Sequence, residues 1–197
     1  MTADLLAALS LFALASSITP GPNNLMLMAS GANFGFRPTI PHMLGIGLGF
    51  MFMLFLVGIG LIEVFETVPY SYDILKIVSV LYLCWLAWRV ASAAAPEGKV
   101  STGRPFTFLQ AAAFQWVNPK AWTMALSAMT LYAPTRSLWA VFLVTLVFGL
   151  INLPSVSLWT ILGQKMRILL TSQLRLRVFN GVMALMLLGS VLTVIWN

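Results

Sequence analysis

Two short stretches hold the residues best suited to chemistry. The first is Thr19-Pro20-Gly21-Pro22-Asn23-Asn24, and the second is Gln115-Trp116-Val117-Asn118-Pro119-Lys120. Proline inside a helix removes a backbone donor and clashes with the carbonyl one turn back. It is well suited, however, to the first position of a new helix. Gly21-Pro22 and Asn118-Pro119 therefore both read as an N-cap followed by proline at the start of a fresh half-helix. Each such start presents free amides and the positive end of a helix dipole, which together make a carboxylate site. Lys120 adds a full charge. Two readings of it stand side by side: it holds a bound carboxylate, or it is a structural lysine bonded to the backbone carbonyls of the opposite stretch or reaching to an interface.

The elements that position these stretches follow from composition. Of 197 residues, 60% are hydrophobic and 8% charged, and the mean hydropathy is +0.93. A soluble domain carries roughly 25% charged residues, and one of this size has too little interior to hide so much apolar surface. Those figures exclude an ordinary soluble domain, a disordered chain and a disulfide scaffold. The expected fold is an all-α polytopic membrane protein. Apolar runs near 20 residues long predict six transmembrane helices, at about 5–29, 39–62, 74–95, 106–130, 138–162 and 178–195. The opening run resembles a signal-peptide core, but no Lys or Arg precedes it and the apolar run resumes after Asn24, so cleavage is not expected.

Both interruptions fall in the first helix of a three-helix half, and Pro22 and Pro119 lie 97 residues apart. The expected organisation is two inverted three-helix repeats, 1–95 and 106–197, with helices 1 and 4 broken and a cytoplasmic linker at 96–105. Matched interruptions in such halves point to a transporter site near the bilayer midplane. The net charge of +6 is expected to report cytoplasmic loops rather than nucleic-acid binding. Arg37, Arg89, Lys99, Arg104, Lys165, Arg167, Arg175 and Arg177 follow spans one, three and five, while the opposite side carries Arg136, Glu63 and Glu66. Basic loops stay in the cytoplasm, so both termini are predicted to be periplasmic.

Other candidates are weighed in the same way. Asn152 with Pro154 is expected to break span five and line the cavity, or merely to kink it. Tyr82 could offer a hydroxyl to the cavity, or stand with Trp85 and Trp88 as a packing or interfacial aromatic. Gly45, Gly47, Gly49, Gly58 and Gly60 read as close helix packing. Asp73 and Lys76 share a helical face and can pair locally. The methionines read as adaptable packing, and Cys84 as inert core. A single cysteine and a single histidine, His42, exclude a disulfide, a Cys/His metal cluster and an HExxH protease. No G-x-S-x-G elbow is present, and no pair of mid-membrane acids. No enzyme, cofactor or metal is therefore expected.

TPGPNN at 19–24, GFR at 35–37, GIGLG at 45–49, LK at 75–76, YLCWLAW at 82–88 and NPKA at 118–121 together resemble the LysE/RhtB family of amino-acid exporters. The runs 17–50 and 114–120 are most like its cysteine and O-acetylserine branch. Beyond about Thr130 the match is in span pattern alone. The resemblance implies a multi-pass exporter in the bacterial inner membrane, driven by the proton gradient, with its TPGPN and NPK segments on Thr19–Asn23 and Asn118–Lys120. Many members carry His or Asp four residues beyond the second glycine of the span-two motif. Met53 stands there in this chain, which leaves uniport and exchange open beside proton coupling.

The expected substrate-binding set is Thr19, Pro20, Gly21, Pro22, Asn23, Asn24, Asn118, Pro119, Lys120, Asn152 and Tyr82. It offers positive groups and neutral acceptors but no buried acid for a second cation. A small neutral amino acid of the cysteine, O-acetylserine, threonine or homoserine class fits it, moved by alternating access. The alternatives are a lipid or metabolite flippase and a non-transporting scaffold; a homo-oligomer is also left open.

Overall fold

The computed structural model describes residues 1–61, 63, 67–93, 104–135 and 137–196. Glu66, Lys99, Arg136 and most of the expected linker lie outside them. Eight α-helices account for nearly all the rest: α1 (Ala3–Ile18), α2 (Pro22–Phe34), α3 (Phe36–Leu56), α4 (Ser71–Ala91), α5 (Phe108–Phe114), α6 (Pro119–Tyr132), α7 (Leu138–Met166) and α8 (Gln173–Trp196). There is no strand among the described residues.

Local chemistry marks the helix starts. Thr2, Thr107, Asn118 and Ser137 each cap a helix by accepting a backbone N–H two or three residues on. Thr107 and Gln110 form a reciprocal capping box, satisfying two donors the helix cannot use itself. Pro22 and Pro119 stand at the first positions of α2 and α6.

Four helical stretches are long and apolar enough to cross a membrane: Phe36–Leu61, Ser71–Ala91, Leu138–Met166 and Gln173–Leu192. They coincide with expected spans two, three, five and six. The first expected span corresponds to α1 and α2, a pair bent by 55° that makes a fifth only if the two are taken as one span. The fourth is divided into α5, a 3-10 turn at Gln115–Val117, and α6, and neither of its helices has the length of a span.

Two expectations are corrected. Span five is not broken: α7 runs unbroken through Asn152 and Pro154. One proline costs a helix one hydrogen bond. Here its ring sits on the exposed side of the helix, and α7 packs against α1, α2 and α3, so the helix continues. Cys84 is exposed rather than core. It lies on the outer side of α4, where an apolar thiol meets lipid at little cost.

The glycine stripe packs helices closely, as expected, with one exception. A Cβ on Gly45 would lie 2.4 Å from the Phe108 carbonyl, and one on Gly49 2.6 Å from the Ala112 Cα, so α3 and α5 touch backbone to backbone. Gly58 is crowded by Val141 and Met129. Gly60 differs. Its φ is +115° at the end of a π turn over Val57–Leu61, a conformation that glycine adopts without a Cβ penalty.

The closest approach joins α2 and α7. A Cβ on Gly31 would fall 2.2 Å from the Thr160 carbonyl oxygen, and one on Gly163 2.0 Å from that of Met28. Backbone cannot swing aside as a side chain can. Gly31→Val and Gly163→Val should each lower thermal stability in detergent by about 1–3 kcal/mol. Melting curves identical to the parent would show that the helices are not in contact.

Candidate functional site

The first break is a stretch of backbone that has left the helix, and in an apolar surround every freed carbonyl needs a donor. Four consecutive carbonyls have one. Asn24 Nδ2 donates to the Ser17 oxygen and to the Thr19 oxygen, both at 2.8 Å. Trp159 Nε1, from α7, donates to the Ile18 oxygen at 3.1 Å. Lys120 Nζ donates to the Thr19 oxygen and to Thr19 Oγ1 at 2.8 Å, and to the Pro20 oxygen at 3.4 Å.

Lys120 reaches across from the second break. Its path runs over Gly21, where a Cβ would meet the lysine Cδ at 2.7 Å. An ammonium has three donors, and all three are spent on the first break. Of the two readings of this lysine, the structure shows the one bonded to the opposing carbonyls.

A second link ties the breaks together. Asn23 Nδ2 donates to Gln115 Oε1 at 2.8 Å, and Gln115 Nε2 donates back to Asn23 Oδ1 at 3.2 Å and to the Ala111 oxygen at 2.9 Å. Gln115 is fully buried. Within the second break, Asn118 Oδ1 accepts the Lys120 backbone N–H at 3.2 Å, and the Trp116 oxygen accepts from Trp122 Nε1 at 2.8 Å.

Between the breaks lies a cavity of ≈ 20 Å³ lined by Gly21, Asn23, Asn24, Gln115, Asn118, Lys120 and Asn152, with Ser16, Ser17 and apolar neighbours. That is room for about one water. Asn152 donates to Ser17 Oγ at 3.2 Å, while its buried Oδ1 has no partner. The cavity is narrow, with one buried unspent acceptor, and Thr19 and Pro20 at its edge are exposed.

Ten of the eleven expected residues therefore stand at or between the two breaks. Thr19 and Pro20 supply carbonyls to Lys120, while Pro22 and Pro119 start the half-helices rather than line the cavity. Tyr82 is not brought in. Its ring stacks on Phe114 at 5.4 Å and leans on Trp85 at 5.1 Å, the aromatic alternative. Met53 is fully buried in the apolar cluster of α1, α3, α6 and α7.

Gln115, Ser17 and Trp159 are members of the site that residue types alone did not single out. Gln115 left one signal: a lone amide in an apolar run, one turn before Asn118. Trp159 left none, since its indole meets Ile18 from 141 residues away.

Two helix interruptions of a membrane chain, joined across a polar cavity, are the arrangement that membrane transport proteins use at their substrate sites. The comparisons narrow the class. Residues 14–195 match the sequence model of the family described as LysE type translocator, and the chain belongs to that family. It is 32% identical over 134 residues to a "Cysteine/O-acetylserine efflux protein" of Escherichia coli O1:K1 / APEC, covering 67% of each chain. It is 29% identical over 165 residues to the protein of the same description in Salmonella paratyphi A, covering 83% of this chain and 84% of that one. No solved structure matches.

The reciprocal amide pair gives a direct check. In an Asn23→Ala, Gln115→Ala double-mutant cycle of thermal stability, the coupling should be about 1–2 kcal/mol, within the range for buried hydrogen-bonded neighbours. Additive losses would show that the breaks are not joined there.

Proposed function

We propose that this chain is a secondary transporter that exports small neutral amino acids or their derivatives across the bacterial inner membrane by alternating access. Cysteine, O-acetylserine, threonine and homoserine define the substrate class. The reading includes six spans in two inverted halves, 1–95 and 106–197, with helices 1 and 4 broken and both termini in the periplasm. The observation that carries it is that two helix breaks, each followed by a proline that opens a half-helix, are joined by Asn23 and Gln115 and by Lys120 laid across to Thr19.

The chemistry supports an amino acid. A substrate carboxylate suits the exposed amides of α2 and the Lys120 ammonium. Its own ammonium suits the Asn152 Oδ1 that stands without a partner and the carbonyls of Thr19 and Pro20. Lys120 holds those carbonyls in the closed state and releases them when it turns to a carboxylate. No Asp or Glu lines the cavity among the described residues, so the second cation of lysine or arginine would be buried unpaired at high cost.

The cavity has space for about one water, so substrate entry requires the two halves to separate. Separation breaks the Lys120–Thr19 and Asn23–Gln115 bonds, and the substrate's own groups replace them. Rocking of one half against the other about such a site is how inverted-repeat transporters alternate access.

Counterflow in proteoliposomes tests the reading. Vesicles preloaded with cysteine, threonine or homoserine should accumulate labelled substrate, and vesicles preloaded with lysine should not. Lys120→Ala and Asn118→Ala should each lower the rate at least about tenfold, the loss expected for one charge-assisted hydrogen bond, with melting still cooperative. Full activity in both variants would overturn the site. Absence of exchange by the folded parent with every amino acid would overturn the function. Imposing a pH gradient separates the coupling modes: a rate that follows the gradient marks proton coupling, and an indifferent one marks uniport or exchange.

A further inference from the structure

A second, larger cavity lies ten residues further along α2. It measures ≈ 200 Å³ and is bounded by one face of α2, by the end of α4 and by Arg104–Phe106. The α2 residues lining it are Met26, Ala29, Ser30, Asn33 and Phe34, spaced as a single helical stripe. Asn23, in the first site, continues the same stripe. At 1.5 Å per residue, Asn23 and Asn33 are about 15 Å apart along the axis.

The walls differ in chemistry. Arg89 and Arg104 stand on one side. The Arg89 guanidinium lies 4.6 Å from the Phe106 ring centre and 5.3 Å from that of Trp85, which fixes its plane. Its hydrogen bond is a single long one, 3.4 Å, to the Arg104 carbonyl, out of five donors. No carboxylate lines the cavity among the described residues.

The opposite wall offers acceptors. Thr39 Oγ1 donates to the Gly35 oxygen at 2.7 Å, so in the 2.9 Å contact between Ser30 and Thr39 it is Ser30 that donates. The Ser30 oxygen keeps its lone pairs. Asn33 Oδ1 accepts one bond, from Asn180 at 3.1 Å, and has a second lone pair to give.

We propose that this cavity is a loading site for the zwitterionic amino acid on the basic face of the protein, with the carboxylate on Arg89 and Arg104 and the ammonium on Ser30 Oγ and Asn33 Oδ1. The inference rests on the transporter reading above and deepens it. Two cations facing two acceptors match an α-amino acid better than a simple anion, which would leave the acceptors unused. The basic face is the cytoplasmic one under the positive-inside rule, the side from which an exporter takes its cargo. The stripe on α2 then leads from Asn33 to Asn23.

The test is counterflow of L-cysteine, kept reduced, by the full chain in phosphatidylcholine vesicles, with KM measured separately from each face. Arg89→Gln and Arg104→Gln, singly and together, should raise KM from the basic face about tenfold, the loss typical of a hydrogen bond to a charged group. KM from the other face should stay within about twofold of the parent, as expected for a site 15 Å from the first. Arg104 is exposed, so its variant reads the site even where Arg89→Gln fails to fold. Equal shifts on both faces, or none, overturn this site while leaving the transporter reading in place. No counterflow by the parent ends both. An effect that appears only when phosphatidylglycerol is added marks a lipid headgroup in the cavity and overturns the proposal.

Discussion

Four carbonyl groups, those of Ser17, Ile18, Thr19 and Pro20, set the conditions that the rest of the structure meets. They are backbone acceptors that the end of α1 leaves without helical partners, and any of them taken into an apolar surround unpaired would cost several kcal/mol, of the order of burying an amide without a partner. Asn24 reaches two of them from the next turn of its own chain. The others depend on distant residues: Trp159 on α7 and Lys120 at the head of α6. Trp159 reaches Ile18 only because α7 lies against α1 and α2 at backbone distance, and Gly31 and Gly163 make that distance accessible. Lys120 reaches Thr19 only because Gly21 leaves its path open. The tight α2–α7 seam and the second break are thus consequences of the first.

The same arrangement bears on how the proposed transporter would open. Every donor on Lys120 is satisfied by two carbonyls and a hydroxyl, acceptors that an ammonium of a substrate could also use, and the Asn23–Gln115 pair consists of neutral amides. No fixed carboxylate anchors the ammonium. An Asp–Lys pair here would be broken at the cost of leaving a buried charge alone. In the proposed cycle a lysine held by carbonyls and a hydroxyl would exchange them for a carboxylate, which adds the attraction of a second full charge to bonds already charge-assisted on the donor side. The narrow cavity would thus be a state from which the proposed cycle could spend binding energy on separation.

Much of this was legible in the sequence wherever it rested on backbone chemistry. Proline, glycine and asparagine change what the chain can do locally, so the breaks at 19–24 and 115–120 and the helix starts at Pro22 and Pro119 could be placed to the residue. The close packing at Gly45, Gly49 and Gly58 was readable for the same reason. What was not legible was partnership. Proline at 154 looks like proline at 22, yet it is flanked by no second breaker and lies on an exposed face, so α7 absorbs it. Tyr82 carries a hydroxyl, but its ring found Phe114. Cys84 is apolar enough for a core and for a lipid-facing surface, and composition does not choose between them. Gln115 and Trp159 act through contacts 92 and 141 residues distant, which no local pattern encodes.

The two cavities place different cations in different situations, and the difference has a direction. Arg89 and Arg104 carry planar guanidinium groups with donors to spare, suited to capturing a carboxylate in two-point geometry. Lys120 is a compact charge whose donors are already engaged. A carboxylate would meet no acidic competitor among the described residues beside the arginines, whereas at the lysine it would have to displace Thr19 and Pro20. On the proposed reading, capture would be the easier step at the roomy cavity, and rearrangement would be confined to the narrow one. Reversing these roles would put the displacement step at the entrance and leave nothing for the substrate to trigger inside. The order guanidinium first, ammonium second, along one face of α2, is the one by which the proposed transporter would turn carboxylate binding into movement.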